Sequence, residues 1–469
     1  MNRNLFLLLV VIVTLLGGCS LAPEYTRPEA PVPAEWPQGM AYKGSNAAPE
    51  DATIQKLVSR QEFFTDPRLQ KLIETALINN RDLRLAALNV EKARALYGIQ
   101  RAELFPSVNA MGSGSKGRVP ADLSSTGSAM TAEQYGVNLG ISSWEIDFFG
   151  RVRSLKDQAL HVYLATEQAS RSAQVLLVSE IARVYLTLAA DRGILQLYQS
   201  ALEAQQGIYD LINRLYEVGF STELDIRRAQ IPVETARVNV ARYTQMVAQD
   251  QNALNLLAGS PVPEELLPAN LSNITPLKDI SPGLSSEVLL NRPDILQAEH
   301  QLKAAYAFIG AARSAFFPRI SLTTTVGTAS AELSGLFKSG SSTWNFMPQV
   351  VLPIFDARTW AALRVSKAQQ KIVLAQYEKV IQVAFKEVAD TLAVQGSVDQ
   401  QIEAQQSLTN AVAETYRLSH ERYKSGIDSY LGVLDAQRSL YVAQMGLISL
   451  RLARLVNRVR LYAVLGGGN

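Results

Sequence analysis

Two short stretches of the chain share one frame. "RAELFPSVNA" at 101–110 and "RSAFFPRISL" at 313–322 each read as the end of a helix that becomes, past Phe-Pro, the start of a strand. The offset is 212 residues, and at that offset Asp82 falls on Asp294, Ala93 on Ala305, Gly98 on Gly310, Phe105 on Phe317 and Pro106 on Pro318. Downstream it drifts to 207, pairing Tyr216 and Gly219 with Tyr423 and Gly426, and Gly259 with Gly466. A unit of about 200 residues is far longer than the roughly 20–50-residue units of solenoid arrays. The chain is therefore a tandem duplication of a half-domain.

Each half predicts the same element order. Helical spacing from Asp66, interrupted near Asn79 and Asn80, runs to Phe105, where Pro106 ends it because proline lacks an amide hydrogen and clashes with the preceding turn. Pro318 does the same in the second half, so both prolines are expected at helix-to-strand joints. Beyond each joint the pattern alternates with period two. Val108 and Ala110 oppose Ser107 and Asn109; Tyr135, Val137, Leu139 and Ile141 oppose Gly136, Asn138, Gly140 and Ser142; Ile320, Leu322, Thr324 and Val326 oppose Ser321, Thr323, Thr325 and Gly327. Hairpins are expected at about 106–149 and 318–356, each with one apolar and one small-polar face, as strands between lipid and water should read. A pair of soluble surface hairpins would alternate in the same way.

After each hairpin comes a helical pattern without proline, 151–218 and 357–425. At about 1.5 Å per residue each spans roughly 100 Å. Ile181, Leu188, Leu195, Leu202, Tyr209 and Tyr216 recur every seven residues, and Val388, Ile402, Tyr416 and Tyr423 keep the phase with Gln395 and Thr409 between them, the spacing of a left-handed coiled coil. Gly219 and Gly426 suit the left-handed position past each long helix, and Ser221, Thr222, Asp428 and Ser429 can cap the return helices 222–258 and 429–465. Pro232, opposite Ser439, is expected to kink the first return helix.

The N-terminus excludes a cytoplasmic reading. "MNRNLFLLLVVIVTLLGGC" has a basic start at Arg3, an apolar run from Leu5 to Leu16 and a small-residue cleavage site, so 1–18 reads as a signal peptide. Leu16-Gly17-Gly18-Cys19 resembles a lipobox, which implies lipidation of Cys19; a plain secretory signal with an incidental cysteine is the alternative. Ser20 after the cysteine, by lipoprotein sorting rules, directs the chain to the outer membrane. With one cysteine no intramolecular disulfide forms, and a net charge of +2 from 45 basic and 43 acidic residues gives no case for nucleic acid. No uncharged apolar run of about 18 residues follows the signal, so a bilayer is crossed only as a closed barrel. Four strands cannot close one, since about eight is the smallest usual number. Three copies supply twelve.

"SLAPEYTRP", "INNRDLR", "WEIDFFGR", "LLNRPDI", "IGAARSAFFPRISL", "FKEVADTL" and "SYLGVLDAQRSLY" occur in this order across nearly the whole mature chain. In these the sequence resembles the TolC-like outer membrane factors, specifically the lipidated branch serving tripartite efflux pumps. The resemblance implies a mainly α fold with a small β-barrel: a homotrimer sharing a twelve-stranded outer-membrane barrel that continues as a coiled-coil periplasmic tunnel. It divides the chain into the signal (1–18), a lipidated tether and equatorial segment (19–65), the first repeat (66–259), an equatorial linker (260–286) and the second repeat (287–469). It implies an outer-membrane channel exporting small toxic compounds, drugs or metal ions, with a periplasmic membrane-fusion adaptor and an inner-membrane pump of RND type as partners. No enzyme activity and no cofactor beyond the lipid on Cys19 are expected. A poreless envelope-spanning coiled-coil lipoprotein and the outlet of a type I protein secretion system are the alternatives.

The resemblance also implies a periplasmic gate at Leu431 and Asp435, four apart and so on one helical face, where threefold symmetry makes an apolar ring and a carboxylate ring. Pairing of Asp435 with Arg438 or Arg228 is the plainer reading. The first repeat has Leu224 but Arg228 at the matching positions, making Asp225, Arg227 and Arg228 candidates for links that hold the tip closed. Gly219, Ser221, Gly426 and Ser429 are candidates for adaptor docking, or simply turn formers. His161, His300 and His420 lie far apart along the chain without ligand spacing, so no metal site is expected.

Overall fold

The computed structural model describes residues 20–42, 59–278 and 285–467. The signal segment and Cys19 lie outside them, so the lipidation site has no structural account here. The described residues divide into two compact units, one of residues 20–29, 89–167 and 297–377, the other of residues 30–42, 59–88, 168–278, 285–296 and 378–467. Its main elements are α1 (Pro67–Asn79), α2 (Arg81–Ala102), β1 (Val108–Val119), β2 (Met130–Glu145), α3 (Arg151–Glu217), α4 (Glu223–Ala258), α5 (Pro293–Ser314), β3 (Arg319–Ser330), β4 (Ser342–Val351), α6 (Ala357–Lys424) and α7 (Tyr430–Val464).

The first unit holds one antiparallel sheet in the order β1-β2-β3-β4. Both halves contribute a hairpin, and the pairing of β2 with β3, Leu139 opposite Val326, joins them. The register slips between Ile141 and Trp144, where Ser143 takes a positive φ of 52° and its amide donates to Thr323 Oγ1 at 3.1 Å. Such a bulge bends the strand and sharpens its twist. Pro106 lies between the end of α2 at Ala102 and β1, and Pro318 between the end of α5 at Ser314 and β3. At the second joint Phe317 stacks on Phe149 with ring centroids 4.9 Å apart, and the Ser314 hydroxyl donates to Phe149 O.

Residues 20–29 lie along α5 in the same unit. Glu299, almost fully buried, accepts from Arg27 at 2.5 Å and Lys303 at 2.8 Å, and Tyr25 donates to it at 3.2 Å. Arg313 donates to Leu21 O, and a Cβ at Gly310 would meet Ala22 N at 2.8 Å. Only glycine leaves room for the strap there.

The second unit contains the main core. Phe63, Phe64, Leu69, Leu72 and Ile73 pack on Ile181, Tyr185 and Leu188 of α3, with Leu254 of α4 and Tyr462 of α7 closing it. The Phe63 and Tyr462 rings stack 4.6 Å apart. By length and composition α3 and α7 are apolar enough to cross a membrane, yet Leu177, Val178, Ile181, Ala182 and Leu186 in α3 are all buried in this core. Asp66 caps α1 by accepting from the Arg68 and Leu69 amides. Asn80 breaks α1 from α2: its side chain accepts from Leu83 N and donates to Leu257 O, while Gly259 sits against Asn79.

The seven-residue seam of α3 holds only at its start. Ile181 and Leu188 are fully buried, but Leu195 and Leu202 are half-buried, and burial passes to Ile194, Ala201, Gln205 and Ile212. A helix of 3.6 residues per turn slides about 20° per heptad off a strict seven-residue stripe. Gln205 uses its buried place to donate to Gln437 of α7. In the second half Thr409, polar in its phase, is buried with its hydroxyl donating to Gln405 O and Ala443 O. Pro232 lies inside α4, which stays helical on both sides of it.

Candidate functional site

The two hairpin turns of the second unit are built alike from different side chains. Past α3, Gly219 has φ 83°, its amide donates to Tyr216 O, and Phe220 N donates to Leu215 O. Past α6, Gly426 has φ 72°, with Gly426 N donating to Tyr423 O and Ile427 N to Arg422 O. These six-to-one bonds over a left-handed residue satisfy the last carbonyls of each long helix, and φ selects glycine although a Cβ would meet nothing at either site.

Thr222 caps α4 in a reciprocal box. Its hydroxyl accepts from Asp225 N at 3.3 Å, and the Asp225 carboxylate accepts from Thr222 Oγ1 at 2.6 Å and Thr222 N at 3.1 Å. These hydrogen bonds hold the Asp225 carboxyl below its ordinary range, with the Arg228 charge assisting. Ser221 reaches the same carboxylate at 3.5 Å. Ser429 occupies the cap position of α7 without a side-chain cap bond, while Asp428 takes a two-point ion pair from Arg422 at 2.6 and 3.1 Å.

Leu431 is 55% exposed, Asp435 is exposed, and neither makes a side-chain bond within the chain among the described residues. Asp435 pairs with neither Arg438 nor Arg228. Arg227 pairs along its own helix with Glu223 at 3.4 Å and with Gln230 at 3.2 Å. Within one chain, then, Asp225, Arg227, Arg228 and Asp435 form no inter-helix link: Asp225 is consumed by its cap and Arg227 by its neighbours. Besides the Gln205–Gln437 bond, what joins the hairpins here is apolar, Tyr430 packing on Ile212, Ile226 and Ala229, with Tyr423 5.2 Å from its ring.

In the first unit the register sorts the sheet into two faces. Val108, Ala110, Val137, Leu139, Ile320, Leu322, Val326, Trp344, Phe346 and Val350 fall on one face, with Lys116 and Glu133 paired at 2.5 Å near the β1–β2 loop. The opposite face carries Asn109, Ser113, Ser115, Asn138, Ser321, Thr323, Thr325, Asn345 and Gln349. On the apolar face Trp344 is 76%, Phe346 60%, Leu139 51% and Val350 64% exposed. β1 and β4 are edge strands with unpaired outer backbone. A continuous apolar face and two free edges are unstable in water and suited to closure in lipid.

Three groupings escaped the sequence reading. Two of the histidines, far apart along the chain, come together in the fold: His161 on α3 and His300 on α5 meet with Nδ1 atoms 3.3 Å apart. The ring centroids are 5.5 Å apart, so the nitrogens face head-on and one donates to the other. Burial and the Lys303 ammonium hold His300 below the ordinary imidazole range. No third ligand joins them among the described residues. In the second unit Asp191 of α3, 6% exposed, faces half-buried Asp250 of α4, and burial followed by the Asp191 charge pushes the Asp250 carboxyl up to about 6. The third is a charge cluster of Glu145, Arg151 and Arg319 at one end of the sheet. Each joins distant parts of the chain, although within the third Glu145 and Arg151 are only six positions apart. Only the third left a local signal, a charge at a polar-face strand position next to Phe-Pro.

The model of the outer membrane efflux protein family matches residues 72–260 and 284–467, one match for each repeat. The chain is 49% identical over 469 residues to the toluene efflux pump outer membrane protein TtgC of Pseudomonas putida, covering 100% of this chain and 96% of that protein. It is 42% identical over 461 residues to the outer membrane protein OprJ of Pseudomonas aeruginosa, covering 98% and 95%. Among solved structures it resembles the open state of the Neisseria gonorrhoeae MtrE outer membrane channel, with a TM-score of 0.84 and 37% identity over 96% of this chain and 98% of that one. Duplicated halves, a two-faced sheet and full-length similarity agree, and the chain belongs to the outer membrane efflux protein family.

Proposed function

We propose that three copies of this outer-membrane efflux channel join β4 of one to β1 of the next, closing a twelve-stranded barrel whose lumen continues into a periplasmic tunnel of helical hairpins. The observation carrying this is the apolar face that runs unbroken across all four strands and ends on free edges. A closed barrel satisfies those edges and turns the apolar face to lipid. Cys19, lipidated, anchors the chain to the outer membrane. The glycine turns at Gly219 and Gly426, with Ser221 and Ser429, receive a periplasmic adaptor that connects the tube to an inner-membrane pump of RND type. Leu431 and Asp435 close the periplasmic end: both are exposed and unpaired within the chain, which leaves them free to meet their copies around a threefold axis.

The cargo is small organic compounds of the solvent and antibiotic kind. Relatives named for toluene efflux and for antibiotic efflux, both 49% identical to this chain, support that class over metal ions. A deletion strain carrying the gene back on a plasmid tests it. Restored growth in toluene and in antibiotic is expected, and Asp435→Ala should restore export while admitting large antibiotics that wild type excludes. Complementation that restores copper or silver tolerance alone would overturn the cargo assignment.

A further inference from the structure

The polar face of the sheet is almost free of charge. Along β1 it presents Asn, Met, Ser, Gly and Val; along β2 Met, Ala, Gln, Gly and Asn; along β3 Ser, Thr, Gly and Ala; along β4 Thr, Asn, Met, Gln and Val. The exceptions are Glu145 and Arg319, both at the end of the sheet that meets the helices, where Glu145 lies opposite Ser321 and Arg319 opposite Val351. Arg151, in the first turn of α3, joins them. Its Nε and Nη2 donate to the two oxygens of Glu145 at 2.8 and 2.7 Å, and Arg319 Nε approaches Glu145 Oε2 at 2.6 Å.

One carboxylate thus serves two guanidinium groups, leaving a surplus of one positive charge per chain. Asp147 is engaged by Arg153 at 3.1 Å and Asp356 by Arg358 at 2.9 Å, while Glu103, which accepts from Gln100, acts on Arg151 and not on Arg319, so the exposed Arg319 keeps the surplus. The surplus is not sealed in: Glu145 is 11% exposed and Arg151 32%, but Arg319 is 62% exposed. It borders an open cavity of about 300 Å³ lined also by Phe317, Val351 and Thr359.

We propose that Arg319 sets the charge selectivity of the channel, as one of a ring of three surplus positive charges at the periplasmic entrance of the barrel that favours anions and slows cationic cargo. This rests on the trimeric barrel proposed above, in which the polar face lines the lumen. Twelve strands about 4.8 Å apart and tilted about 40° close at a radius of about 12 Å. An arginine reaching inward about 6 Å leaves its charge within about one Debye length, roughly 8 Å, of the axis. With an otherwise neutral lining, no other charge on the lumen face of the sheet opposes it, and rings of charged side chains are how pores select by sign.

The test is the reversal potential of the full-length protein in planar bilayers under a KCl gradient. Relative to wild type, Arg319→Gln should lower the chloride-to-potassium permeability ratio by about threefold and Glu145→Gln, which releases both arginines, should raise it, while Arg319→Lys leaves it near wild type. Conducting channels whose ratio does not move in either Gln variant overturn the assignment of Arg319 and leave the channel itself standing. Absence of channels in both wild type and Asp435→Ala overturns the barrel on which the assignment depends.

Discussion

Replacing Asp250 with asparagine should stabilise this protein at neutral pH, against the usual direction for a half-buried polar residue. Asp250 and Asp191 face each other between α4 and α3, each with one oxygen lacking a partner, and the surrounding charges are Arg183, which favours the ionised Asp250, and Arg242, which favours the ionised Asp191. The Asp250 carboxyl rises from 3.8 to about 6, so the folded state holds its proton more tightly than the unfolded chain. Between about pH 4 and pH 6 the unfolded chain has released that proton and the folded one has not, so stability falls as pH rises through this window and stays low above it. About 2 pH units at roughly 1.4 kcal/mol each set an upper bound near 3 kcal/mol. Partial exposure and relaxation reduce this to on the order of 1–2 kcal/mol. An asparagine carries no charge and offers Nδ2–H as a donor to Asp191.

The assay is thermal melting of the detergent-solubilised protein at one scan rate, since such unfolding is read as a rate. At pH 7.5 the variant should melt about 2 °C higher than wild type, and the gap should close toward pH 4. A gap that does not change with pH, or a variant that melts lower at pH 7.5, refutes the shared-proton reading of the pair.

Other perturbations have definite directions. Gly259→Ala should cost at least about 2 kcal/mol, because φ is 71° and the new Cβ would lie 2.3 Å from Asn79 O; a melting curve checks it. Arg292→Met should cost about 3–5 kcal/mol by leaving Glu387 and Asp294, held at 2.9 and 2.7 Å, and Val464 O without their buried donor; denaturant midpoints should show it. Gly310→Val should lift residues 20–29 from α5, read as faster chymotryptic cleavage after Tyr25 with the core melting unchanged.

The fold class was legible because it rests on signals that survive without neighbours. Alternation at Val137, Leu139 and Ile141 and at Ile320, Leu322 and Val326 needs no partner to be seen, and Phe-Pro marks a change of backbone wherever it occurs. What the sequence hid lies in pairings. The seam of α3 leaves Leu195 for Ile194 because the stripe follows its packing partners rather than a fixed count. His161 and His300, and Glu145 and Arg319, come together only through packing between the repeats, and Asp191 and Asp250 only through packing of two helices within the first; no local pattern announces a carboxyl pair or an imidazole pair. At the tips the cap of Asp225 was hidden in plain view, since Thr222 and Asp225 have capping-box spacing. The cap takes the carboxylate that the charges at the tip offer to an inter-helix link.

The central claim is that the chain makes a pore, and single-channel recording of the full-length, lipid-modified protein in planar bilayers tests it most directly. The account predicts discrete conductance steps, rare in wild type and frequent in Asp435→Ala as the carboxylate ring at the tip is lost. Folded protein that inserts yet gives no steps in either form would contradict it.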